Sequence, residues 1–380
     1  MNRPEPFRES NTESVVRAAL MRRRDWLGGS LASTAAALTG WSAAGLAGRS
    51  LRAQRTESES ELGPADLITP QTRNQIDAGL RFLARKQVTS GAFQGTFGTQ
   101  GYAAGTAVTG LAGLAFMCSG SVPGDGPYGR QIDACVDYLI RNTNNEGYVA
   151  VPSGYDNMYG HGFATLFMSE AYGMSQKPEL RDKLDKAVGL IVRSQNPAGG
   201  WRYQPAPTDA DLSVTICQIM ALRAARDAGI NVPDETREKC IEYVKRSQNQ
   251  DGSFRYTLQG GHGSFPLTAA GVVSLYSAGI YDGDQIEKGL KWLDRQRPGA
   301  GGNGNNYGYY FYGHYYAVQA MWHAGGEYWA RWYPAIRDEL AGMAGSDGSW
   351  PDAQVGPEFG TAMACIILQM PLNYVPVFAA

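Results

Sequence analysis

A phrase of the form Gln-x-x-x-Gly-x-aromatic recurs along the chain at intervals of about fifty residues. In its clearest copy, Gln195–Trp201, a helix-forming run ends, a glycine-rich turn reverses the chain and a tryptophan opens the next segment. Two further copies are Gln87–Phe93, with Gly91 as its glycine, and Gln248–Phe254. Degenerate copies follow the same spacing at Thr143–Val149, Gln296–Gly302 and Ala344–Trp350. A fixed period of this size predicts stacked supersecondary units.

Two kinds of helix-forming segment alternate between these turns. Six segments are amphipathic and cover residues 72–87, 129–142, 179–195, 234–248, 283–296 and 329–343. Six others are almost uncharged and cover residues 103–118, 159–174, 210–228, 265–279, 308–324 and 358–370. A helix that is apolar nearly all round must be buried on most sides. An open solenoid would need a polar terminal repeat, which the last uncharged segment does not supply. The pattern therefore predicts an all-α fold, a closed (α/α)6 toroid of six helical hairpins.

The N-terminal part carries segments that a folded core does not require. Arg23 and Arg24 precede Trp26 and Leu27, and a weakly apolar run of small residues follows. This order is typical of an export signal and resembles the twin-arginine signal family. A membrane anchor is the alternative, although glycine, serine and threonine make the run a poor spanning helix. We divide the chain into an extension with the signal (1–53), a polar linker (54–71) and the toroid (72–380), and expect export to the periplasm or cell envelope.

Charge and cysteine content narrow the class of protein further. The chain has 34 lysines and arginines against 36 aspartates and glutamates, which argues against an electrostatically driven nucleic-acid partner. Five cysteines form no CxxC pair, and each lies within a helix-forming run. We therefore expect buried free thiols and not a disulfide framework.

The repeated phrase before the uncharged helices resembles that of the squalene cyclase and protein prenyltransferase β-subunit repeat family. The resemblance extends over roughly residues 72–378. It implies a terpenoid cyclase-like toroid in which the glutamine ends an outer helix and hydrogen-bonds a neighbouring helix end. The glycine permits the turn, and the aromatic residue wedges between hairpins. The resemblance alone implies no activity, because one fold hosts many functions.

Two acids at the start of the third uncharged helix allow one family chemistry to be tested. Triterpene cyclases carry Asp-x-Asp-Asp-Thr there, and its middle aspartate protonates the substrate. Residues 209–213 read Asp-Ala-Asp-Leu-Ser, so the resemblance makes Asp211 the general acid with Asp209 beside it. Leu212 replaces the third acid and removes a like charge that would help keep Asp211 protonated. The Asp-x-Cys zinc motif of the prenyltransferases is not matched. A capping box that begins at Thr208 is the competing interpretation.

Three of the four histidines lie at or just before the start of an uncharged helix. Together with nearby tyrosines they would face the same rim of the ring as Asp211. The predicted rim comprises His161, His314, His262, Tyr159, Tyr312 and Tyr315. Aromatic faces stabilise carbocations, and imidazoles with carboxylates move protons or bind metals. The sequence leaves the identity of any cofactor undecided, and a divalent metal bound by His161, Asp211 and His314 is the candidate. The competing interpretation is a set of satisfied polar residues and ordinary aromatic core.

Two hypotheses about function follow. The first is an isoprenoid-acting enzyme, similar to a cyclase or prenyltransferase, with Asp211 as acid and an isoprenoid in a central aromatic-lined cavity. The second is a non-catalytic exported α-toroid that binds an apolar ligand or a protein partner, with its rim acids as helix caps. A third, weaker hypothesis is a carbohydrate-active toroid, which would need paired carboxylates and exposed aromatic residues. Membrane contact would arise only through an uncleaved signal.

Overall fold

The computed structural model describes residues 64–97, 105–151, 157–300 and 309–379. Over these ranges the chain forms twelve α-helices and short 3-10 turns, with no β-strand. The outer helices are α1 (Pro70–Lys86), α3 (Gly129–Arg141), α5 (Glu179–Ser194), α7 (Asp234–Arg246), α9 (Asp284–Asp294) and α11 (Gly326–Met343). The inner helices are α2 (Gly105–Cys118), α4 (Met158–Tyr172), α6 (Leu212–Asp227), α8 (Phe265–Ser277), α10 (Tyr310–Ala324) and α12 (Pro357–Gln369). The predicted all-α toroid class is confirmed.

The inner helices line the ring and the outer helices cover it. Each inner helix contacts the next along the chain, and α12 contacts α2. Nearly every residue of an inner helix is buried, whereas an outer helix buries one stripe, such as Ile132, Cys135 and Leu139 of α3. All five cysteines are buried and free, as expected. Among the described residues, no helix combines the length and apolarity that crossing a bilayer requires.

The glutamine of the repeated phrase ties two hairpins together. Gln195 donates from Nε2 to the carbonyl oxygens of Gly199 and Thr236, at 2.9 Å each, and so joins its own turn to the start of α7. Gln248 makes the equivalent pair of bonds to its own turn and to the start of α9. The glycine position of the phrase accepts no other residue, because Gly199 has φ of 103° and an added Cβ would lie 2.0 Å from the carbonyl oxygen of Lys239.

The aromatic residue of the phrase is held by the inner helix that follows it. Trp201 is fully buried, and its indole N–H donates to the carbonyl of Ile191 at 2.7 Å. Its backbone N–H donates to Oγ1 of Thr215 on α6 at 3.1 Å. Trp350 repeats this backbone bond with Thr361 on α12 at 2.9 Å. A hydroxyl acceptor near the start of an inner helix is therefore part of the repeat.

The first copy of the phrase has a different register from the one predicted. Gln87 donates to the carbonyl of Gly95 at 3.1 Å. Gly95 has φ of 99°, and a Cβ added to it would lie 2.1 Å from a carbonyl oxygen of α3. Phe97 is fully buried, whereas Phe93 is 46% exposed. The prediction of Gly91 and Phe93 as repeat residues is wrong, because a four-residue insertion duplicates the Gly-x-Phe pattern and only the second copy reaches the core. The predicted fifth copy ends at residue 302, outside the described residues.

Candidate functional site

Asp211 is the N-cap of the inner helix α6. Its Oδ1 accepts the backbone N–H of Val214 at 2.9 Å and the hydroxyl of Ser213 at 2.7 Å. Its own N–H donates to the carbonyl of Trp201 at 3.0 Å, which fixes the entry to the helix. Because the helix begins at Leu212, Asp211 caps it directly, and the capping box predicted to begin at Thr208 is wrong.

The second oxygen of Asp211 faces the aromatic side of the site. Oδ2 accepts the hydroxyl of Tyr256 at 3.1 Å and lies 3.7 Å from Nε of Arg202. The side chain has no exposed surface. Burial raises the pKa of Asp211 above its ordinary value, although the bonds from Ser213, Val214 and Tyr256 and the charge of Arg202 oppose that rise. The carboxyl therefore combines a desolvated charge with a complete set of hydrogen-bond donors.

Asp209 has the opposite environment. Its side chain is 49% exposed and forms an ion pair with Arg202. The backbone N–H of Ala210 donates to it at 2.7 Å. That bond, followed by Arg202, lowers the pKa of Asp209. The two acids that share one motif in the sequence are thus separated into a buried cap and a surface ion pair, both attached to one arginine.

Tyr203 and Tyr256 flank this arginine at one end of the ring, and Tyr159 lies next to Tyr203. The hydroxyls of Tyr203 and Tyr256 are 2.5 Å apart, and those of Tyr159 and Ser213 are also 2.5 Å apart. The guanidinium of Arg202 lies 5.5 Å from the Tyr203 ring centroid and 5.8 Å from that of Tyr256. We call this surface the tyrosine mouth, which consists of Tyr159, Tyr203, Tyr256, Arg202 and Asp209.

Side chains of α10 cross the ring below the mouth. Tyr312 donates its hydroxyl to the carbonyl of Ser213 at 2.7 Å, and the Tyr316 hydroxyl lies 3.4 Å from Sγ of Cys217 on α6. The rings of Tyr312 and Tyr316 meet edge to face at 4.9 Å. They form an aromatic layer across the ring centre, the space that the inner helices enclose. Tyr315 is fully buried beside this layer, so its predicted place on the rim is wrong.

His161 is a structural residue of the repeat. Its Nδ1 accepts the backbone N–H of Val149, and its Nε2 donates to the carbonyl of Ala187, both at 3.2 Å. It therefore replaces in α4 the hydroxyl acceptor that Thr215 supplies in α6. Burial lowers the pKa of His161 to about 4, so the ring is neutral near pH 7. Both nitrogens are already used by the backbone, and the predicted role at the rim is wrong.

The other two histidines of the predicted rim, His314 and His262, lie apart from His161. His314 is fully buried, with ring centroids of Tyr310 at 4.4 Å and Phe265 at 4.8 Å, and burial lowers its pKa to about 3. His262 is exposed in the loop before α8. Within the described ranges, no group of three His, Cys, Asp or Glu side chains could hold a metal ion. His161, Asp211 and His314, the candidate ligands for a divalent metal, therefore do not form a metal site.

Helix geometry explains which predicted residues meet. Tyr159 and Tyr312 face the ring centre, and the histidines two positions later are turned by roughly 200° towards the outer helices. Sequence reasoning missed Arg202, Tyr203 and Tyr256. Tyr203 and Tyr256 could have been found from the repeat, because each stands two residues after its aromatic position, Trp201 or Phe254.

Comparisons with known proteins agree with this architecture. Residues 161–309 match the family described as the prenyltransferase alpha-alpha toroid domain. The solved type II terpene cyclase MstE from Scytonema has a TM-score of 0.54 at 16% identity, over 81% of this chain and 100% of that chain. No curated protein sequence matches the chain.

Two carbohydrate-active toroids are similar to the same extent. The family 76 α-mannanase of Bacteroides thetaiotaomicron has a TM-score of 0.57 at 12% identity, over 82% of this chain and 98% of that chain. An α-1,6-mannanase of Salegentibacter has a TM-score of 0.56 at 9% identity, over 80% of this chain and 99% of that chain. Likeness at these identities shows the fold alone. The chain is an all-α toroid, and its residues 161–309 match the prenyltransferase alpha-alpha toroid domain.

Proposed function

We propose that the chain is a non-catalytic exported α/α toroid that binds an apolar ligand on its tyrosine mouth. The state of Asp211 carries this proposal. A general acid must present its proton to a substrate, and Asp211 has no exposed surface and accepts protein hydrogen bonds at both oxygens. It acts as a cap that holds the mouth together, and the tyrosines are left as the functional surface.

The bonding of the tyrosine hydroxyls supports an apolar ligand. Tyr203 and Tyr256 bond each other, and Tyr256 continues to Asp211. Hydroxyls that are satisfied in this way leave ring faces as the surface available for contact. Tyr203 is 38% exposed, and it is one of the few large hydrophobic side chains of the described residues with that much free area. An isoprenoid chain is a ligand whose shape and apolar surface match a row of such rings.

Equilibrium titration with a fluorescent farnesol derivative tests the proposal. Tyr203→Ala should weaken binding about 5–20-fold, because it removes one aromatic contact. Tyr281→Ala is the matched control, since Tyr281 is 55% exposed but packs against Tyr276 and His323, away from the mouth. Equal affinities in the two variants would contradict the mouth as the site. An α-1,6-mannan oligosaccharide in the same assay tests the carbohydrate alternative.

Acid-catalysed isoprenoid chemistry is the second candidate. The raised pKa of Asp211 favours it, because a carboxyl that holds its proton to higher pH is a better acid near neutrality. The protein would be incubated with linear isoprenoids and the products analysed by mass spectrometry. A new cyclic product that disappears with Asp211→Asn would establish the enzyme and contradict the binding proposal.

Export is a proposal as well. It rests on Arg23, Arg24 and the apolar run that follows them, which lie outside the described residues. N-terminal sequencing of the protein recovered from the cell envelope should find that the first fifty residues or so have been removed. A mature chain that still began at Met1 or Met21 would contradict cleavage.

A further inference from the structure

The last residues of the described chain enter the ring centre. The inner helix α12 ends at Gln369, whose side chain donates to the carbonyl of Ala115 near the end of α2, so both helices run away from the mouth. Asn373 then adopts a left-handed conformation, with φ of 54°, and the chain turns back. The segment that follows therefore approaches the ring from the end opposite the tyrosine mouth.

This C-terminal segment, residues 374–379, reaches two inner helices that are not neighbours. Its 3-10 turn, Pro376–Phe378, lies against α6, and the Phe378 ring meets the Tyr315 ring of α10 edge-on at 6.1 Å. The helix α8 stands between α6 and α10 in the ring. A short segment can touch both only from the enclosed side. Val375, Val377 and Phe378 are accordingly buried.

Apolar contact is what holds the C-terminal segment. Its backbone bonds are internal: Phe378 N–H donates to the carbonyl of Val375 at 3.0 Å, and Ala379 N–H to that of Pro376 at 2.9 Å. Across the described part of the chain, no side-chain hydrogen bond or ion pair joins the segment to an inner helix. Apolar burial is non-directional, so another apolar body of similar size could replace it.

One polar atom beside the segment lacks a partner. The Tyr315 hydroxyl is fully buried, and no described residue meets it with hydrogen-bond geometry; the nearby amide of Gln319 only partly opposes the rise in its pKa that burial causes. The amide of Gln319, one turn along α10, donates instead to the Tyr315 backbone carbonyl at 2.8 Å. The rings of Phe163, Tyr316 and Phe378 surround Tyr315. A buried hydroxyl without a partner is destabilising, and an incoming acceptor oxygen would relieve it.

We infer that the ring centre is a second ligand site that the C-terminal segment occupies from within, and that an elongated apolar molecule with one acceptor oxygen displaces this segment. The ligand's apolar body replaces Val377 and Phe378, and its oxygen accepts the Tyr315 hydroxyl. The aromatic layer of Tyr312 and Tyr316 separates this site from the tyrosine mouth, so the inference does not depend on the function proposed for the mouth.

Hydrogen exchange on the full chain tests whether the segment is displaceable. Amides of residues 377–379 should exchange at least a hundredfold faster than those in the middle of α12, because they open without unfolding the ring. Nile red, a neutral apolar dye with a carbonyl oxygen, should speed this exchange further when it takes the place of the segment. Protection equal to that of α12, with or without the dye, would overturn the inference.

Dye binding to matched variants tests the site itself. Phe378→Ala should bind one Nile red per chain at least tenfold more tightly than the wild type. Phe82→Ala is the control, because Phe82 is 2% exposed and Phe378 is 3% exposed, but Phe82 lies on the outer helix α1. Equal gains in both variants would show general loosening and overturn the inference.

Two further variants identify the contacts. Adding Tyr315→Phe to Phe378→Ala should weaken dye binding about threefold to tenfold, as expected for one hydrogen bond. Unchanged affinity would refute the part played by Tyr315. Adding Tyr203→Ala to Phe378→Ala should leave the affinity unchanged, and a loss there would place the dye at the mouth and overturn the second site. Failure of the mouth proposal therefore gives a different result from failure of this one.

Discussion

The substitution of Asp211 separates the cap from the acid. Asp211→Asn retains an acceptor oxygen that can take the bonds from Val214 and Ser213. The new amide can donate to the hydroxyl of Tyr256, which would then accept at this position where it now donates. Arg202 loses one of its two negative neighbours and keeps the other. Asp211→Ala, in contrast, leaves an amide and two hydroxyls without their acceptor at a site with no exposed surface.

The two variants should therefore differ in stability. Asp211→Ala should lower the free energy of unfolding by about 2–4 kcal/mol, the sum of a lost cap and of buried donors left unpaired. Asp211→Asn should lie within about 1 kcal/mol of the wild type at pH 7, because weaker charge-assisted bonds are offset by relief of the buried charge. Urea denaturation measures both values. A loss under about 1 kcal/mol for Asp211→Ala would refute the capping role.

The pH dependence supplies a second, independent test. The folded pKa of Asp211 is raised above the ordinary value of 3.8, so between these two values only the folded state holds the proton. Stability must then fall as pH rises through that interval, by at most about 1.4 kcal/mol per pH unit, and remain level above it. Asparagine does not titrate. The stability of the wild type relative to Asp211→Asn should therefore decrease with rising pH in that window, and an increase would refute the assignment.

The remaining predictions concern the repeat and its histidine. Phe97→Ala should cost about 3–5 kcal/mol of unfolding free energy and Phe93→Ala less than about 0.5, and equal costs in denaturation would refute the corrected register. Gly199→Ala should lower the unfolding free energy by about 2–4 kcal/mol, because the new Cβ meets a main-chain oxygen. Gly299 has φ of 76° but no atom within 4 Å of an added Cβ, so Gly299→Ala is the control and should cost about 1 kcal/mol. The folded pKa of His161 is about 4 against 6.5 unfolded, so its contribution falls by about 3 kcal/mol as pH drops between these values. Melts from pH 7 to 4 should show less acid sensitivity for His161→Gln, and parallel curves would contradict the neutral buried ring.

The sequence was sufficient to predict the all-α toroid, because both the helices and the turns of the repeat have recognisable patterns. Uncharged helices alternate with amphipathic ones, and the turn between them needs a glycine with positive φ. The register of the first copy was not accessible, because Gly91-x-Phe93 and Gly95-x-Phe97 satisfy the same local pattern. Only contact with α3 distinguishes them. Local chemistry could therefore predict that a wedge exists but not which phenylalanine forms it.

The candidate site was predictable only in part. Asp211 was identified because its position in the repeat is fixed, and Tyr159 and Tyr312 because they open inner helices. His161 and His314 were misplaced because a position along a helix does not state which face it occupies. A rotation of roughly 200° over two residues decides between the ring centre and the outer helices. Contacts across the ring centre join residues about a hundred positions apart, and no local pattern carries that information.

Ser213 connects the cap to the aromatic layer. Its hydroxyl donates to Asp211 and lies 2.5 Å from that of Tyr159, and its carbonyl accepts the hydroxyl of Tyr312. Any ligand that pushed Tyr312 aside would therefore remove a bond from the residue that covers the carboxyl. The buried cap and the anchoring of Tyr312 are therefore coupled through Ser213. In this arrangement Asp211 caps the helix and holds Tyr256 of the tyrosine mouth in place.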